Sequence, residues 1–410
     1  MILCYPNGNH EFLAAFLACL LCGVIAVPIY PPNPASLKRA LAKLDFIIRS
    51  CEAKMALTNS KFQAYRRLSS ITNKWPSNIE WIATDRVPAE PKKATAAEGR
   101  EQQGGSAVTQ EWRQRMDSVA FLQYTSGSTG DPKGVMITLR NLSHNLYLLG
   151  LNMRRDYCSL KLQSGEQLSD IRLFSWLPIC HDLGLCHTLV TLLFGGTIWR
   201  MSPIAFIKNP MLWLTCVSNF KAHFTAGPTF ACDLAVRKFT EVNLPRDFDL
   251  SHIWAFAVSA EPIRRDIIEK FCQFFAKYGF RRVSLTPAYG LAEHVMVVCV
   301  SEEPDLVYSQ KDERLVCCGS QFAVQLLVVD PETHIVCPEQ QEGEIWVASD
   351  SKPPGYWKLP ELSRDTFHAE IAAPAADNPY VQMEFVRTGD CGFLENGKLY
   401  FCSKSCRTSL

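Results

Sequence analysis

The chain has 410 residues, of which 47% are hydrophobic and 20% are charged, and its formal net charge is +1. This composition excludes an intrinsically disordered chain, and the near-zero charge excludes a broad electrostatic attraction to nucleic acid or to an anionic membrane. The length predicts two or more subdomains. The 17 cysteines are an odd number in a long chain with no secretory signal pattern, so we expect reduced thiols in a soluble, cytoplasmic protein.

The first apolar stretch, residues 12–30, has the composition of a membrane span but lacks its continuity. Gly23 and Pro28 interrupt the stretch, and no basic residue precedes it. We therefore predict a helix over 11–21, a buried strand over 24–29 and no integral membrane segment.

The next segments alternate between helical and strand periodicity. A helix is predicted over 37–50 and strands over 54–58 and 80–84, which indicates an α/β layer with mostly parallel strands. Residues 87–114 are different, because they are polar and show no apolar period. We expect an exposed loop or a disordered insert there.

Downstream of this insert the pattern resumes. Helices are predicted over 140–149, 210–220, 230–238 and 264–278, and strands over 119–122, 324–330, 343–348 and 398–401. The last strands follow one another without long helices between them, which indicates a β-rich subdomain. Asn396-Gly397 between two apolar runs predicts a hairpin.

The most informative segment is residues 122–133, Leu-Gln-Tyr-Thr-Ser-Gly-Ser-Thr-Gly-Asp-Pro-Lys. Gly127 and Gly130 allow backbone N–H groups to turn inward, and such a nest of amides binds anions. Lys133 adds a compact positive charge. Further donors are the hydroxyls of Thr125, Ser126, Ser128 and Thr129. The pattern predicts a polyphosphate loop of a kind other than Walker A, since no Gly-Lys-Ser/Thr ends it.

This segment resembles the phosphate loop of the adenylate-forming enzymes, a superfamily that includes acyl-CoA synthetases, peptide-synthetase adenylation domains and luciferases. Further segments match in the same order from Tyr5 to about Leu399, and the branch that they resemble most is the fatty acyl-AMP ligases. The resemblance implies an α/β fold in which layered α/β subdomains are joined by a small β-barrel-like subdomain. It also implies that ATP phosphates are held by Thr125, Ser126, Gly127, Ser128, Thr129, Gly130 and Lys133.

The second informative segment is Ser-Trp-Leu-Pro-Ile-Cys-His-Asp-Leu-Gly-Leu at 175–185. A strand is predicted to end at Leu177, Pro178 forces a turn, and His181 and Asp182 open the next helix. The resembled ligases carry a similar run along their acyl and phosphate site, which implies a catalytic His181 beside the attacking carboxylate. The residues alone leave two alternatives open: His181 caps the helix or packs against Asp182, or Asp182 caps the helix.

The turn at 258–262 reads Val-Ser-Ala-Glu-Pro and follows a strand-like run. It resembles an Asn-Gly-Ala-Glu-Pro turn whose backbone contacts adenine, which implies nucleotide contacts for Ser259, Ala260 and Glu261. Val258 and Ser259 replace Asn-Gly, so the geometry of the turn is open. Glu261 is also explained as a helix-start residue that favours the macrodipole.

The segment 287–293, Pro-Ala-Tyr-Gly-Leu-Ala-Glu, combines an aromatic ring, a glycine and a carboxylate. Tyr289 offers a flat apolar face to a purine, and Gly290 permits close backbone approach. Glu293 supplies a hard oxygen ligand for Mg²⁺. The resemblance implies the same roles and extends the nucleotide site to Leu291 and Ala292. The alternative is a helix N-terminus with a surface glutamate.

Asp390 precedes the predicted hairpin in the run Arg-Thr-Gly-Asp at 387–390. A carboxylate has two acceptor oxygens, which suits a vicinal diol. Asp390 resembles the aspartate that accepts both ribose hydroxyls of the nucleotide. The alternative is an ordinary turn aspartate.

The two ends of the chain depart from the resembled family. After Tyr400 the family continues with a Gly-Arg-x-Lys-Asp hinge and a small mobile domain, whereas this chain stops at Leu410. We therefore predict an AMP-binding domain over 1–400 that is incomplete at its N-terminus, and a divergent tail over 401–410. We expect a fragment, a splice form or a faulty gene model. Turnover should be impaired without the small domain, since losing one charge contact to the substrate lowers the rate about 10²–10³-fold.

Three functions are compatible with these residues. The first is a fatty acyl-AMP ligase that uses ATP and Mg²⁺ to activate a long-chain fatty acid for transfer to the pantetheine of an acyl carrier protein. The second is a long-chain acyl-CoA synthetase, with CoA as the acceptor. The third is a non-catalytic nucleotide- or acyl-binding protein, which the missing C-terminal domain motivates.

Overall fold

The computed structural model describes residues 1–6, 10–86, 115–125, 131–161, 171–241, 244–321, 323–372, 379–380 and 382–403, apart from the side chains of 154–161. The predicted insert at 87–114 lies outside the described residues, as do 126–130 of the phosphate loop and 404–410 of the predicted tail. The chain forms two compact units. The first comprises residues 1–142 and 356–358, and the second comprises 143–355 and 359–410.

The first unit carries a parallel sheet and an antiparallel strand pair. Its described helices are α1 (His10–Cys22), α2 (Leu37–Cys51), α3 (Ser60–Ser69) and the start of α4 (Leu139–Lys161). Its described strands are β1 (Ile2–Leu3), β2 (Val27–Pro28), β3 (Met55–Thr58), β4 (Glu80–Ala83), β5 (Val119–Thr125) and β6 (Lys133–Thr138). The parallel sheet has the order β2-β1-β3-β4, and β5 pairs with β6.

Helix α2 illustrates why the local sequence folds as it does. Its buried residues recur three or four positions apart and form one face: Leu41, Leu44, Ile47 and Ile48. This face joins a core that includes Ile2 and Ala56 of the neighbouring strands. The helix ends at Glu52, which has a left-handed φ of 52° and donates its N–H to carbonyls of the last turn. The predicted helix over 37–50 is therefore confirmed.

The second unit holds the rest of α4 and most of the other elements. Its described helices are α5 (Asp182–Leu193), α6 (Pro203–Lys208), α7 (Met211–Asn219), α8 (Thr229–Arg237), α9 (Arg265–Ala276) and α10 (Pro360–Phe367). Its described strands are β7 (Arg172–Ser175), β8 (Thr197–Arg200), β9 (Phe224–Gly227), β10 (Ala255–Val258), β11 (Leu285–Gly290), β12 (Val297–Val300), β13 (Gln325–Val329), β14 (Gly343–Ala348), β15 (Val386–Glu395) and β16 (Lys398–Ser403).

A six-stranded sheet organises this unit in the order β12-β11-β10-β9-β7-β8. The strands from β11 to β8 are parallel, and only β12 runs antiparallel to its neighbour in this sheet. Parallel strands place their carboxyl ends at one edge, where ligands bind in open α/β sheets. The predicted α/β class with mostly parallel strands is confirmed.

The end of the chain forms a separate antiparallel sheet in the order β13-β14-β15-β16. Asn396 and Gly397 connect the last two strands with left-handed φ values of 53° and 70°. Two consecutive positive φ angles are the geometry of a type I′ hairpin turn, which Asn-Gly favours. The predicted β-rich subdomain and its hairpin are confirmed.

Several predicted boundaries differ from the structure. The strand expected to end at Leu177 ends at Ser175, because the N–H of Leu177 donates to the Ser175 hydroxyl at 3.2 Å. The helix expected over 140–149 continues through Gly150 to Lys161, and the missing side chain of Gly150 accommodates the ring of Phe194. The strand expected over 24–29 is reduced to two residues.

The apolar segment near the start of the chain forms α1 and then β2, as predicted. In the part of the chain that the structure describes, no helix combines the length and the apolar character that a bilayer crossing requires.

Candidate functional site

Strands β10 and β11 are parallel neighbours in the second unit, where Val258 at the end of β10 pairs with Pro287 and β11 continues three residues further to Gly290. The two segments predicted to contact a nucleoside therefore leave the sheet at one edge. Ser259 follows β10 and is buried, and Ala260 has a left-handed φ of 77°. A left-handed alanine reverses the chain abruptly after the strand, at a conformation that glycine adopts at lower cost.

Glu261 caps a helix, but not the helix that follows it. Its Oε1 accepts a hydrogen bond from the N–H of Phe230 at 2.6 Å, in the first turn of α8. The helix after Glu261 begins only at Arg265, so the explanation of Glu261 as a residue at the start of its own helix is wrong. The carboxylate satisfies an unpaired backbone donor and lies at the positive end of the α8 dipole.

Tyr289 and Asp390 are 101 residues apart in the sequence and are joined in the structure. The Tyr289 hydroxyl donates to Oδ2 of Asp390 at 2.8 Å. The Tyr289 ring is only 3% exposed and lies 5.3 Å from the ring centre of Phe401. Burial, reinforced by the negative charge of Asp390, raises the pKa of Tyr289 well above its usual value, so the phenol remains a hydrogen-bond donor. The structure thus unites the two residues predicted to hold the nucleoside, while their contacts with a nucleotide stay a prediction.

Gly290 is required by the fold of its own chain. A Cβ atom at this position would lie 1.8 Å from the carbonyl oxygen of Met296. The register between β11 and β12 shifts just before Gly290, which then pairs with Val297. The backbone just before the next strand therefore explains the glycine at this position, and a contact of Gly290 with a nucleotide stays a prediction.

Glu293 lies in a short 3₁₀ turn, Ala292–His294, that begins just after Leu291. Its side chain is half-buried. Among the described residues, no three His, Cys, Asp or Glu side chains converge as a metal site would require. Mg²⁺ commonly takes one or two carboxylates and completes its shell with phosphate oxygens and water. A single glutamate oxygen fits such a shared site and does not fit an all-protein metal cage.

His181 occupies the N-cap position of α5, with an extended backbone (φ −98°, ψ 147°), and about 60% of its side chain is exposed. Its Nδ1 pairs with Oδ1 of Asp182, which also accepts the N–H of Leu183 at 2.6 Å. Asp182 is the first helical residue, so the alternative that Asp182 is the cap is wrong. The predicted opening of the helix by this pair is confirmed, and the catalytic role of His181 stays a prediction.

The turn before α5 is held in place by Arg200, a residue that sequence reasoning missed. Its guanidinium donates to the carbonyl oxygens of Leu177 and Gly184 and to the hydroxyl of Thr188 at 2.7 Å. Burial lowers the pKa of Arg200 to about 10, which leaves it charged at neutral pH. No sequence motif marks this residue, because two of its partners are backbone carbonyls that only the fold brings to it.

A cavity with almost entirely apolar walls lies between the six-stranded sheet and helices α4 and α5. The space open to the centre of a water-sized sphere is about 60 Å³. Leu173, Phe224 and Val300 contribute to its sheet side from β7, β9 and β12. The part of the sheet side formed by two other, neighbouring strands is lined by alternate residues that are all small: Ala255, Ala257, Ser259, Thr286, Ala288 and Gly290. Alternate residues of a strand share one face, so these small side chains leave room that larger ones would fill.

The helical side of this cavity follows the helical period. Residues three or four positions apart line it on each helix, namely Leu149, Asn152 and Met153 on α4 and Leu183, His187 and Thr191 on α5. Tyr289 completes the wall beside Ser259 and Gly290. The cavity therefore reaches residues that the sequence assigned to the nucleotide, and its walls there are mostly apolar.

Lys133 belongs to the first unit, where it starts β6 opposite Thr125 of β5. Its Nζ lies 5.4 Å from the ring centre of Tyr356, within the range of a cation–π contact. The strands β5 and β6 flank the phosphate loop. The loop residues themselves, Ser126, Gly127, Ser128, Thr129 and Gly130, lie outside the described residues, so their phosphate contacts stay a prediction.

Residues 2–357 match the AMP-binding enzyme family model, so the chain belongs to the AMP-binding enzyme family, whose members use ATP. Within this family the chain is similar to fatty acyl-AMP ligases. The medium-chain-fatty-acid–[acyl-carrier-protein] ligase JamA of Moorena producens is 34% identical over 433 residues, which cover 98% of this chain and 67% of that protein. The putative fatty-acid–CoA ligase FadD21 of Mycobacterium tuberculosis is 31% identical over 97% of this chain and 68% of its own length.

Solved structures agree with this placement. The fatty acyl-adenylate ligase from L. pneumophila, in complex with acyl adenylate and pyrophosphate, has a TM-score of 0.75 and 31% identity over 98% of this chain and 67% of that chain. The resemblance to this family and the fold that it implies are both confirmed. The chain spans about two thirds of the length of these relatives.

Proposed function

We propose that this chain binds ATP and a long-chain fatty acid and forms an acyl-adenylate and pyrophosphate. The observation that supports this proposal is the apolar cavity, whose wall includes Ser259, Tyr289 and Gly290 of the nucleotide segments. An acid that inserts its chain into the cavity keeps its carboxylate beside the nucleotide. The related L. pneumophila ligase holds the same product pair, acyl adenylate and pyrophosphate.

The chemistry needs positioning and charge stabilisation more than covalent help from the protein. A carboxylate oxygen attacks the α-phosphorus of ATP, the bond from that phosphorus to the bridging oxygen breaks, and pyrophosphate leaves. The barrier falls when the reactants are held in line and the spread negative charge is stabilised. No proton transfer is required, because the acid reacts as its carboxylate.

The proposed roles follow the positions in each unit. In the first unit, the phosphates are assigned to Thr125, Lys133 and the loop between them. In the second unit, the nucleoside is assigned to Ser259, Ala260, Glu261, Tyr289, Gly290, Leu291, Ala292 and Asp390, and the acid carboxylate to His181. Glu293 is assigned to Mg²⁺, which neutralises phosphate charge when bound.

The proposal also covers the acceptor of the acyl group, which is either a carrier protein or CoA. A carrier-protein pantetheine is supported by the relative JamA, which is a fatty-acid–[acyl-carrier-protein] ligase. CoA is the alternative acceptor, supported by the name of FadD21. Offering the purified protein a pantetheinylated carrier and CoA in parallel separates the two. A cytoplasmic location belongs to the same proposal, since cysteines such as Cys19, Cys51, Cys232 and Cys272 are free thiols, which is typical of a reducing compartment.

The test is acid-dependent pyrophosphate release by the purified 410-residue protein, with saturated fatty acids of increasing length and with ATP and Mg²⁺. Asp390→Asn keeps an acceptor oxygen for Tyr289 but loses the charge toward the ribose. We expect it to weaken ATP binding roughly 10- to 100-fold, since a hydrogen bond to a charged group contributes about 1.5–3 kcal/mol. The matched control is Asp365→Asn on the exposed surface of α10, which should bind ATP normally.

Two results would contradict the proposal in different ways. Tight binding of a non-hydrolysable acyl-adenylate analogue without any pyrophosphate release would indicate a non-catalytic nucleotide- and acyl-binding protein. Failure to bind any nucleotide would exclude both the ligase and the binding protein.

A further inference from the structure

Among the described residues that line the cavity, His187 has an enclosed ring nitrogen without a hydrogen-bond partner. His187 lies in the middle of α5, and its ring lines the cavity between Leu183 and Thr191. Its Nδ1 is out of reach of solvent and has no hydrogen-bond partner. Within the described part of the chain, His187 donates or accepts no side-chain hydrogen bond at either nitrogen. A buried polar group without a partner is rare, because it loses its bonds to water and gains none in return.

Two neighbouring hydroxyl groups of the cavity wall do have partners. The hydroxyl of Thr191 donates to the backbone carbonyl of His187 at 2.8 Å. The hydroxyl of Thr225 donates to the carbonyl of Phe174 at 2.9 Å and is therefore satisfied. His187 differs from both residues, because nothing in the wall satisfies its ring.

The imidazole is uncharged at neutral pH. Burial is the main cause that lowers the pKa of His187 to about 4, and the positive charge of Arg200 adds to the effect. A neutral imidazole has one N–H donor and one acceptor nitrogen, so it pairs with a neutral oxygen group as well as a charged one. Within the cavity the imidazole suits a hydroxyl or a carbonyl oxygen. A second carboxylate on the fatty acid, in addition to the one that reacts, would be buried there without a counter-charge.

The position of His187 indicates which part of an acid would meet it. The nucleotide end of the cavity lies at Ser259, just after β10, and the wall extends back along that strand to Ala255, about 13 Å away. Helix α5 starts at Asp182 and reaches His187 after about 7.5 Å of rise. His187 therefore lies part way along the cavity, at a distance from the end where the carboxylate would react.

We propose that His187 makes this site selective for a fatty acid that carries an uncharged oxygen substituent, a hydroxyl or a keto group, part way along its chain. The inference rests on the proposed function and defines its substrate class. The substituent oxygen pairs with Nε2, the ring nitrogen that is not enclosed by protein atoms, whereas a plain alkyl chain displaces water from Nε2 and leaves it unpaired. Sites built to pair with a substrate hydroxyl reject analogues that lack it more strongly than apolar pockets reject an extra group.

The experiment compares acids of one chain length that differ only in the position of a single hydroxyl, together with the saturated parent acid. Binding to the purified 410-residue protein is measured calorimetrically in the presence of ATP and Mg²⁺, and pyrophosphate release is measured in parallel. We expect one positional isomer to bind roughly 10-fold more tightly than the parent acid.

The decisive variant is His187→Leu, which keeps an apolar wall of similar size and removes the unpaired nitrogens. This variant should lose the preference for the hydroxylated isomer and bind the parent acid at least as well as the original protein does. His187→Gln retains a donor and an acceptor and should retain part of the preference. The matched control is His252→Leu, a histidine that lies outside the cavity wall beside Asp249, and it should leave the preference unchanged.

The outcomes separate this inference from the proposed function. Equal binding of all isomers, or a preference that survives His187→Leu, overturns the selectivity while pyrophosphate release with the parent acid still supports the ligase. Absence of binding and of pyrophosphate release with every acid overturns both. Thermal unfolding of each variant shows whether a loss reflects the fold, and His187→Gln then decides the question if His187→Leu is unfolded.

Discussion

Replacing Gly290 by alanine should destabilise the protein by about 1–2 kcal/mol. The new Cβ would lie 1.8 Å from the carbonyl oxygen of Met296, whereas ordinary van der Waals contact begins near 3.4 Å. The two atoms must therefore separate by about 1.6 Å, the difference between these distances. The atom that must move belongs to the backbone, so no side-chain rotation can relieve the clash.

The magnitude follows from two opposing effects. Overpacking a well-packed site costs about 1–3 kcal/mol. Alanine also restricts the unfolded chain, which stabilises the folded state by about 0.4–1 kcal/mol where the native conformation is accessible. It is accessible here, because Gly290 does not have a left-handed φ. The steric cost therefore dominates.

The assay is urea unfolding followed by circular dichroism, and the matched control is Gly227→Ala at the end of β9 in the same sheet. A Cβ at Gly227 meets its nearest neighbour, the Cβ of Ala231, at 3.4 Å, so this variant should unfold within about 0.5 kcal/mol of the original protein. If Gly290→Ala has the original midpoint and slope, the close backbone approach does not require glycine. Weakened ATP binding at unchanged stability would then assign Gly290 to the ligand instead.

Three further outcomes are expected. Tyr289→Phe removes the hydrogen bond to Asp390 and should lower the free energy of unfolding by about 1–2 kcal/mol in urea titrations; an unchanged midpoint would mean that this bond contributes nothing. Glu261→Ala leaves the N–H of Phe230 without its cap and should cost about 1 kcal/mol, with Glu261→Gln closer to the original protein; equal losses in both variants would exclude a capping contribution. Burial lowers the pKa of His294 to about 4 from 6.5 in the unfolded chain, so the unfolded chain binds the proton first as the pH falls. The free energy of unfolding should therefore decrease by about 3 kcal/mol between pH 6.5 and 4 and then level off, and His294→Gln should flatten this dependence; an identical slope in that variant would refute the assignment.

Much of the local structure was predictable because it depends on short-range periodicity. The helix over 37–50 shows its apolar face in the sequence, and the Asn396-Gly397 hairpin follows from the two left-handed residues that a type I′ turn needs. The boundary at Ser175 was mispredicted, since a side-chain hydroxyl takes the N–H that strand periodicity assigns to the sheet.

The candidate site was predictable only in part. The motifs indicated Tyr289 and Asp390 separately. The two residues are 101 positions apart in the sequence, and only the fold brings them within hydrogen-bond distance. Glu261 was correctly placed near a helix start, but the helix that it caps is α8, which precedes it in the chain. A motif records which residue types a function needs, and it carries no information on which distant backbone group each residue meets.

The amino-acid sequence by itself determined the family, the parallel α/β class and the residues that could contact a nucleotide, because these depend on residue type and short spacing. Only the tertiary structure decided that small residues of β10 and β11 face two helices across an open cavity, and that His187 lines it without a partner. The physical reason is that a cavity and an unsatisfied imidazole are properties of what surrounds a residue. Those surroundings come from helices and strands that are far apart along the chain.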